Sequence, residues 1–410
     1  MWKIERRGAL LVLIIPVLIL LISQTAAPGF QMTAPHAEAT SSPPPPPQEQ
    51  KAAEADAARR RKEAFEIVWQ TVKDNHYDPT FGGLDWDKVR EEFAPRVALA
   101  RSDRELHLLL QQMLNRLGQS HFAIIPPEDI PSDDPEESDD EIFDEVLNDK
   151  PARRPHAEGH KLTEQLTHGI GIDLRLINGA AVITRVDAAS SAEAAGLRPG
   201  FIIKSVDGRS MRSIMRRLSA LAVYQPQVKH QLPAELLAIF INGQPGTRAR
   251  LTYLDGMNRL RAASLERRRL NGEMSAPLQT MPSQFVEFES KRLSGGIGYI
   301  RFNVFAVAVM DKFCAALRSM RDAPGVVIDL RGNRGGLLGM IYGMGGLLET
   351  VPISLGALST RTGRVEFRVI PQRHPYAGPL IIMIDGASMS ASEMFAAGLQ
   401  EAGRAVVVGE

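Results

Sequence analysis

Two short segments carry the residue types and spacing that could do chemistry. The first is Asp329-Leu330-Arg331-Gly332-Asn333-Arg334-Gly335-Gly336, and the second is Asp385-Gly386-Ala387-Ser388-Met389-Ser390-Ala391-Ser392-Glu393. Each follows an apolar run fit for a buried strand and precedes an apolar helical pattern, so both fall where α/β folds hold their sites. Paired glycines after a strand let backbone N–H groups approach a ligand at a helix N-terminus, which favours negative charge. Phosphate is one such ligand, although the Lys-Ser/Thr ending of a P-loop is missing. A developing oxyanion is another, and a tight turn with no ligand also accounts for the glycines. In the second segment, a serine at a strand-to-helix turn can expose its hydroxyl beside the N–H groups of its own helix, which suits acyl transfer. Ser390 and Glu393 are also spaced as a capping box, so spacing alone leaves both nucleophile and helix cap open.

The elements that must position these loops alternate. Strands are expected over 297–302, 326–330, 380–384 and 405–408, and helices over 307–320, 336–348 and 390–402. Strands alternating with helices of this length imply an α/β layer with both sheet faces covered. Cys314, the single cysteine, lies in an apolar stripe at helical spacing and reads as a small buried core residue. With one cysteine, no intrachain disulfide can form.

Upstream, residues 162–270 read as a small β-rich body. Short strands, a brief helix opening near Ser191 and an Asp207-Gly208 turn set its pattern, and a helical insert spans 213–241. Residues 131–161 form an acidic low-complexity stretch whose like charges repel and solvate, read as a mobile insertion. Before it, residues 52–130 are helical. Phe65, Val68, Trp69 and Val72 recur at three and four, Tyr77-Asp78-Pro79 breaks the pattern, and a second helix covers 103–117. Residues 28–51, with five consecutive prolines at Pro43 to Pro47, read as an extended spacer. Residues 1–27 place Lys3, Arg6 and Arg7 before an apolar run over 8–22, as in a cleaved signal peptide or an N-terminal membrane anchor. That run is short for a membrane span. Either form implies an exported protein, periplasmic or held on the membrane facing outside the cytoplasm.

Lys plus Arg equals Asp plus Glu at 48 each, which gives no electrostatic reason to expect nucleic acid as a partner. The ordinary apolar share of 44% and the length of 410 residues fit two or three globular domains. His156 and His160 are four apart, but they fall in the polar insertion, so no metal site emerges and no cofactor is expected.

Taken together, the two loops resemble the catalytic core of the tail-specific (C-terminal-processing) serine peptidases, the group that includes the tricorn core. That family shows an Asp-Leu-Arg-x-Asn-x-Gly-Gly loop, then Ser-Ala-Ser-Ala-Ser-Glu, then Gln-Asp-x-Gly-Arg-Ala and Val-Gly-Glu. This sequence has Ser388-Met389-Ser390-Ala391-Ser392-Glu393, Gln400-Glu401-Ala402-Gly403-Arg404-Ala405 and Val408-Gly409-Glu410. The resemblance runs over residues 60–410. It implies an α/β core over 285–410 of ClpP/crotonase-like layered β-α repeats, behind a helical N-terminal domain and a PDZ-like β-rich domain. It makes Ser390 the nucleophile, with the N–H groups of Ala391 and of Gly335 or Gly336 as the oxyanion hole. Ser388 and Ser392 become turn and helix residues. Gly169, Ile170, Gly171 and Ile172 become the PDZ-like loop that takes a substrate's C-terminal carboxylate.

For the general base, one branch of the family uses a lysine about 25 residues after the serine, which would lie past Glu410. The tricorn-like branch uses a histidine, and Leu117-Gly118-Gln119-Ser120-His121 resembles its motif, with Ser120 and His121 in the matching places. The sequence therefore reads as cut off inside its catalytic domain. The expected function is a serine endopeptidase acting on flexible protein C-termini, with membrane contact through the N-terminal apolar run. The alternative is a catalytically incomplete peptide-binding protein of the same fold.

Overall fold

The computed structural model describes residues 9–14, 18–23, 47–119, 122–125, 167–215, 240–278 and 283–409. The readings placed on the acidic stretch 131–161, most of the insert 213–241, the prolines 43–46 and residues 120 and 121 lie outside these. The chain divides into two compact units. One comprises residues 1–130 with 224–227 and 360–363, and the other comprises the rest.

The first unit holds strands β1 (Ala9–Ile14) and β2 (Leu18–Ser23), helices α1 (Pro47–Asn75), α2 (Trp86–Ala98) and α3 (Asp103–Asn115), and strand β3 (Phe122–Ile125). The apolar N-terminal run is thus two strands, paired in the order β2-β1-β3. Among the described residues, no helix is long and apolar enough to cross a membrane. The stripe Phe65, Val68, Trp69 and Val72 is buried against Trp86, Phe93, Leu110 and Leu114. Trp69 and Trp86 each donate an indole N–H to the other's carbonyl, at 3.0 and 3.1 Å, so two large apolar bodies enter the core with their polar atoms paired. Asp85 and Ser102 cap α2 and α3 by accepting N–H groups three residues on.

The two larger sheets lie in the second unit. Strands β4 (Ile172–Ile177), β5 (Ala180–Val186), β6 (Ile202–Val206), β7 (Arg209–Ser210), β8 (Arg248–Leu254) and β9 (Leu260–Glu266) form an antiparallel sheet in the order β9-β8-β6-β5-β4, with β7 on β6. Helix α4 (Ser191–Ala194) is one turn, as its sequence suggests. The alternation along β8, with Ala249, Leu251 and Tyr253 buried, is the period-2 pattern of a half-buried strand.

The other sheet runs β10 (Phe288–Arg292), β11 (Gly298–Phe302), β12 (Val326–Asp329), β15 (Leu380–Ile384), β16 (Val406–Gly409). Strands β11, β12, β15 and β16 are parallel and β10 is an antiparallel edge. Helices α5 (Val307–Ser319), α6 (Gly339–Gly346) and α7 (Ala391–Glu401) lie between the parallel strands in sequence. Between α6 and β15, strands β13 (Ile353–Thr360) and β14 (Gly363–Val369) form a hairpin that sequence reading did not place, although Val365, Phe367 and Val369 alternate with charged residues along β14. Phe302, Phe305, Phe313 and Phe395 are fully buried and meet edge to face, fixing α5 and α7 to the sheet. Cys314 is half-buried rather than buried, because Val309, Phe313, Ala316 and Leu317 take the inward stripe of α5 and leave Cys314 on its flank.

A cavity of about 450 Å³ opens among β4, β5, β11 and the ends of β12 and β15, and its lining is densely charged. Arg301 donates to Asp173 at 2.7 Å and to Glu287 at 3.1 Å, and Arg185 donates to the same two carboxylates at 2.9 and 3.2 Å. Burial pushes the Asp173 carboxyl up, but the Arg301 and Arg185 guanidinium groups outweigh it and hold it at about 2. Burial raises Glu287, and the nearby Asp173 charge adds to that rise. Removing one partner of a buried ion pair leaves a charge uncompensated. Arg301→Met should therefore cost about 3 kcal/mol at neutral pH, read from the urea midpoint. A carboxylate with a depressed pKa lends stability above its unfolded value and loses it as pH falls through its folded value. The deficit should therefore be full above the usual 3.8 and fade as pH drops towards about 2.

Candidate active site

The two loops singled out by their residues meet at the carboxyl ends of β12 and β15. Backbone and side-chain hydrogen bonds lace them together. Leu330 N–H donates to Met383 O at 2.8 Å and Met389 N–H to Asn333 O at 3.0 Å. Ser388 Oγ donates to Leu330 O at 2.8 Å and Ser392 Oγ to Asn333 Oδ1 at 2.8 Å. Ser388 and Ser392 thus hold the turn and the helix start.

Asn333 is the centre of this network, and its part was not evident from its sequence position. It is 0% exposed, and its Nδ2 donates to Phe302 O at 2.9 Å. Its Oδ1 accepts from Gly335 N–H at 2.9 Å as well as from Ser392. An amide can donate and accept at once, whereas a carboxylate here would bury an unpaired charge. Asp385 was missed for a similar reason. Its Oδ1 accepts N–H groups from Gly332 at 2.9 Å and Ala387 at 3.0 Å, and its Oδ2 accepts from Arg175 Nε at 2.8 Å. Neither residue differs in type from an ordinary turn former, and only the fold reveals their distant partners.

Ser390 sits between β15 and α7 with φ +52° and ψ −113°. A non-glycine residue in that region is strained by about 1–3 kcal/mol and persists only where its surroundings enforce it. The enforcement is visible. Glu393 accepts Ser390 N–H at 2.5 Å, Met394 N–H bonds Ser390 O at 3.0 Å, and Gly335 is packed against the turn. Gly335 has φ +82°, and a Cβ there would stand 2.6 Å from Met389 O, 2.8 Å from Ser390 Cβ and 2.9 Å from Ala391 N. Gly336, at φ +128°, is as confined, since its Cβ would meet Phe305 O at 2.5 Å.

Two N–H groups of these loops have no hydrogen-bond partner among the described residues: that of Ala391, next to Ser390, and that of Gly336, next to the Gly335 that packs on Ser390. Ala391 N–H is the first of the orphan donors that every helix start exposes, at the positive end of α7. Gly335 N–H is taken by Asn333 Oδ1. A strained serine beside unpartnered N–H donors can attack a carbonyl and receive the resulting oxyanion.

The other predicted residues lie apart from this group. Gly169 pairs with Arg268, and Ile170 is buried. Gly171 has φ +77° with Ser190 Cβ 2.4 Å from where its own Cβ would be. Ile170 and Gly171 N–H groups have no partner among the described residues. Ser120 and His121 lie outside the described residues. In the same unit as that segment, His76 is 1% exposed, with ring nitrogens against Asp78 O and Gln119 Nε2, and sequence reading had not singled it out. Among the described residues, no group of His, Cys, Asp and Glu could hold a metal ion.

Residues 296–410 match peptidase family S41, and residues 57–115 match the tricorn protease C1 domain. The carboxy-terminal processing protease CtpB of Bacillus subtilis (strain 168) is 28% identical over 244 residues, covering 59% of this chain and 45% of its own length. The carboxyl-terminal-processing protease of Synechocystis sp. (strain ATCC 27184 / PCC 6803 / Kazusa) is 24% identical over 349 residues, 83% of this chain and 68% of its own. The solved structure of a photosystem II D1 C-terminal processing protease is 20% identical, with TM-score 0.46 over 85% of this chain and 81% of that one. The chain spans less than half the length of CtpB and of its Bacillus subtilis relative CtpA, at 45% and 46%. The S41 match contains both loops and the tricorn C1 match lies in the helical unit, so in both parts the chain is similar to the C-terminal-processing peptidases.

Proposed function

We propose that the protein is a serine endopeptidase that cleaves unfolded or tail-exposed proteins outside the cytoplasm, with Ser390 as nucleophile. The observation that carries this reading is the strained Ser390 turn, packed on Gly335, with the Ala391 and Gly336 N–H groups unpartnered among the described residues. Ser390 Oγ attacks the scissile carbonyl, and its proton passes to a general base. His121, oriented by Ser120, fits that role by its place in the tricorn-like motif. The oxyanion of the tetrahedral intermediate is held by Ala391 and Gly336 N–H, in a loop shaped by Gly335. The intermediate collapses to an acyl-enzyme as the amine leaves with the proton, and water then releases the new C-terminus.

The sheet β4–β9 acts as a PDZ-like domain within residues 162–270, and the core over 285–410 as a layered ClpP/crotonase-like domain. The substrate's C-terminal carboxylate is received at Gly169 to Ile172, where the Ile170 and Gly171 N–H groups are available. The N-terminal basic and apolar run, with Lys3, Arg6 and Arg7, exports the chain or ties it to the membrane.

A fluorophosphonate probe incubated with the full-length protein tests the reading. One adduct, mapped to the peptide containing Ser390, is expected. Absence of an adduct, together with binding of tail peptides, would mark the protein as a peptide-binding member of the fold. In that case the Ser390–Glu393 pair serves as a helix cap.

A further inference from the structure

The carboxylate of Asp385 ties together three segments distant in the chain. Its Oδ1 closes a local turn on Ala387 N–H, which any Asx turn does, but it also accepts Gly332 N–H from the other loop, 53 residues away. Its Oδ2 accepts Arg175 Nε, 210 residues away on β4. The side chains of Arg175 and Asp385 are 24% and 21% exposed, so this pair is largely withdrawn from water. Arg175 also donates to its neighbour's carbonyl, Leu174 O, at 2.8 Å, which fixes the guanidinium. The guanidinium lies directly on Gly332. A Cβ on that residue would be 2.0 Å from Arg175 Nη2, and its φ of +74° further restricts the position to glycine.

Gly332 and Asp385 stand at the entrances to the two reactive segments. Gly336 lies four residues after Gly332, and Ser390 five after Asp385. The other cross-links between the loops flank the Gly332 bond: Leu330 N–H to Met383 O and Ser388 Oγ to Leu330 O lie before Gly332, and those of Asn333 with Met389 and Ser392 lie after it. The Gly332 bond lies between these two groups and is the tie supplied by a carboxylate that Arg175 anchors. Without it the stretch between Leu330 and Asn333 is free to shift, and the shift passes through Asn333 to Gly335 and Gly336.

We infer that Asp385 is a positioning residue of the peptidase site, whose carboxylate sets the distance between the glycine loop and the serine loop. The inference rests on the serine-peptidase reading. It predicts an order among variants that charge alone would not give. Asp385→Asn keeps an Oδ1 that can accept both N–H groups and loses only the ion pair with Arg175. Asp385→Ala loses both loop bonds.

The full-length protein and both variants are compared for cleavage of a flexible reporter, for fluorophosphonate labelling and for amide hydrogen exchange. Asp385→Ala should lower kcat about 100-fold with KM within about threefold, since misplacing reacting groups by about 1 Å costs that much. Asp385→Asn should stay within about fivefold of the parent. Exchange at Gly332 and Ala387 should quicken in Asp385→Ala and stay slow in Asp385→Asn. A parent that labels at Ser390 with an equally active Asp385→Ala overturns the positioning role, as does an equal loss in both variants. A parent that fails to label brings down the peptidase reading, and the catalytic role of Asp385 with it.

Discussion

Ser390→Ala should abolish cleavage, by about 10⁴- to 10⁶-fold in kcat, while leaving the fold and the binding of tail peptides intact. Ser390 holds its place through backbone contacts that a methyl side chain keeps, namely its N–H to Glu393 and its carbonyl to Met394. The two roles its sequence allows therefore predict opposite results. A helix cap loses about 1 kcal/mol of stability on truncation to alanine and contributes nothing to chemistry. A nucleophile loses nearly all activity with little change in stability. Measuring the unfolding midpoint and the cleavage rate on the same preparation separates them. An active Ser390→Ala with a lowered midpoint would make the serine a cap alone. The residual rate is informative too, because the Ala391 and Gly336 N–H groups remain and can still stabilise an oxyanion formed by attacking water.

Much of the core was legible because each element there is locally consistent. The strands were expected over 297–302, 326–330, 380–384 and 405–408, and they form at Gly298–Phe302, Val326–Asp329, Leu380–Ile384 and Val406–Gly409. Their runs of Val, Ile and Leu are the pattern of parallel strands, with Ile300, Val326, Ile328 and Ile382 buried, although Val406 and Val408 on β16 are exposed. The helix expected from 336 begins only at Gly339, because Gly335 and Gly336 adopt positive φ and belong to the loop. Hairpin β13–β14 is the exception: Gly363-Arg364-Val365-Glu366-Phe367-Arg368-Val369 carries the period-2 alternation of a strand and was passed over, and with only Phe367 and Val369 buried it adds little to the core.

The site divides in the same way. Ser390 and the glycines were visible, since a nucleophile and a close backbone approach demand particular residue types. Asn333 and Asp385 were not, because asparagine and aspartate are the usual residues of turns, and their value here lies in partners 59 and 53 residues away. The charged group formed by Asp173, Arg185, Glu287 and Arg301 was hidden for a related reason. Asp173, Arg185 and Arg301 alternate along strands as surface charges would, Glu287 lies just before β10, and only the pairing of β4 with β5 and β10 with β11 encloses them.

Gly335→Ala should be the most damaging change that leaves every catalytic side chain in place. Two costs combine at this position. A residue with a Cβ at φ +82° is strained by about 1–2 kcal/mol. The Cβ would also sit 2.6 Å from Met389 O and 2.9 Å from Ala391 N, inside normal contact distance, and those neighbours are backbone atoms with no freedom to turn aside. The loops must then part by several tenths of an ångström, at the point where the serine and the oxyanion donors meet. Gly403→Ala supplies the control, since Gly403 has a similar φ of +70° but nothing within 4 Å of its Cβ position. Both variants should lose comparable backbone stability, so the difference between them isolates the contact with Ser390. We expect Gly403→Ala to stay within about threefold of the parent in kcat/KM, and Gly335→Ala to fall by at least about 100-fold. Equal activity in the two variants would mean that the loop yields without disturbing the serine. The close packing of Gly335 on Ser390 would then be a matter of folding rather than of catalysis.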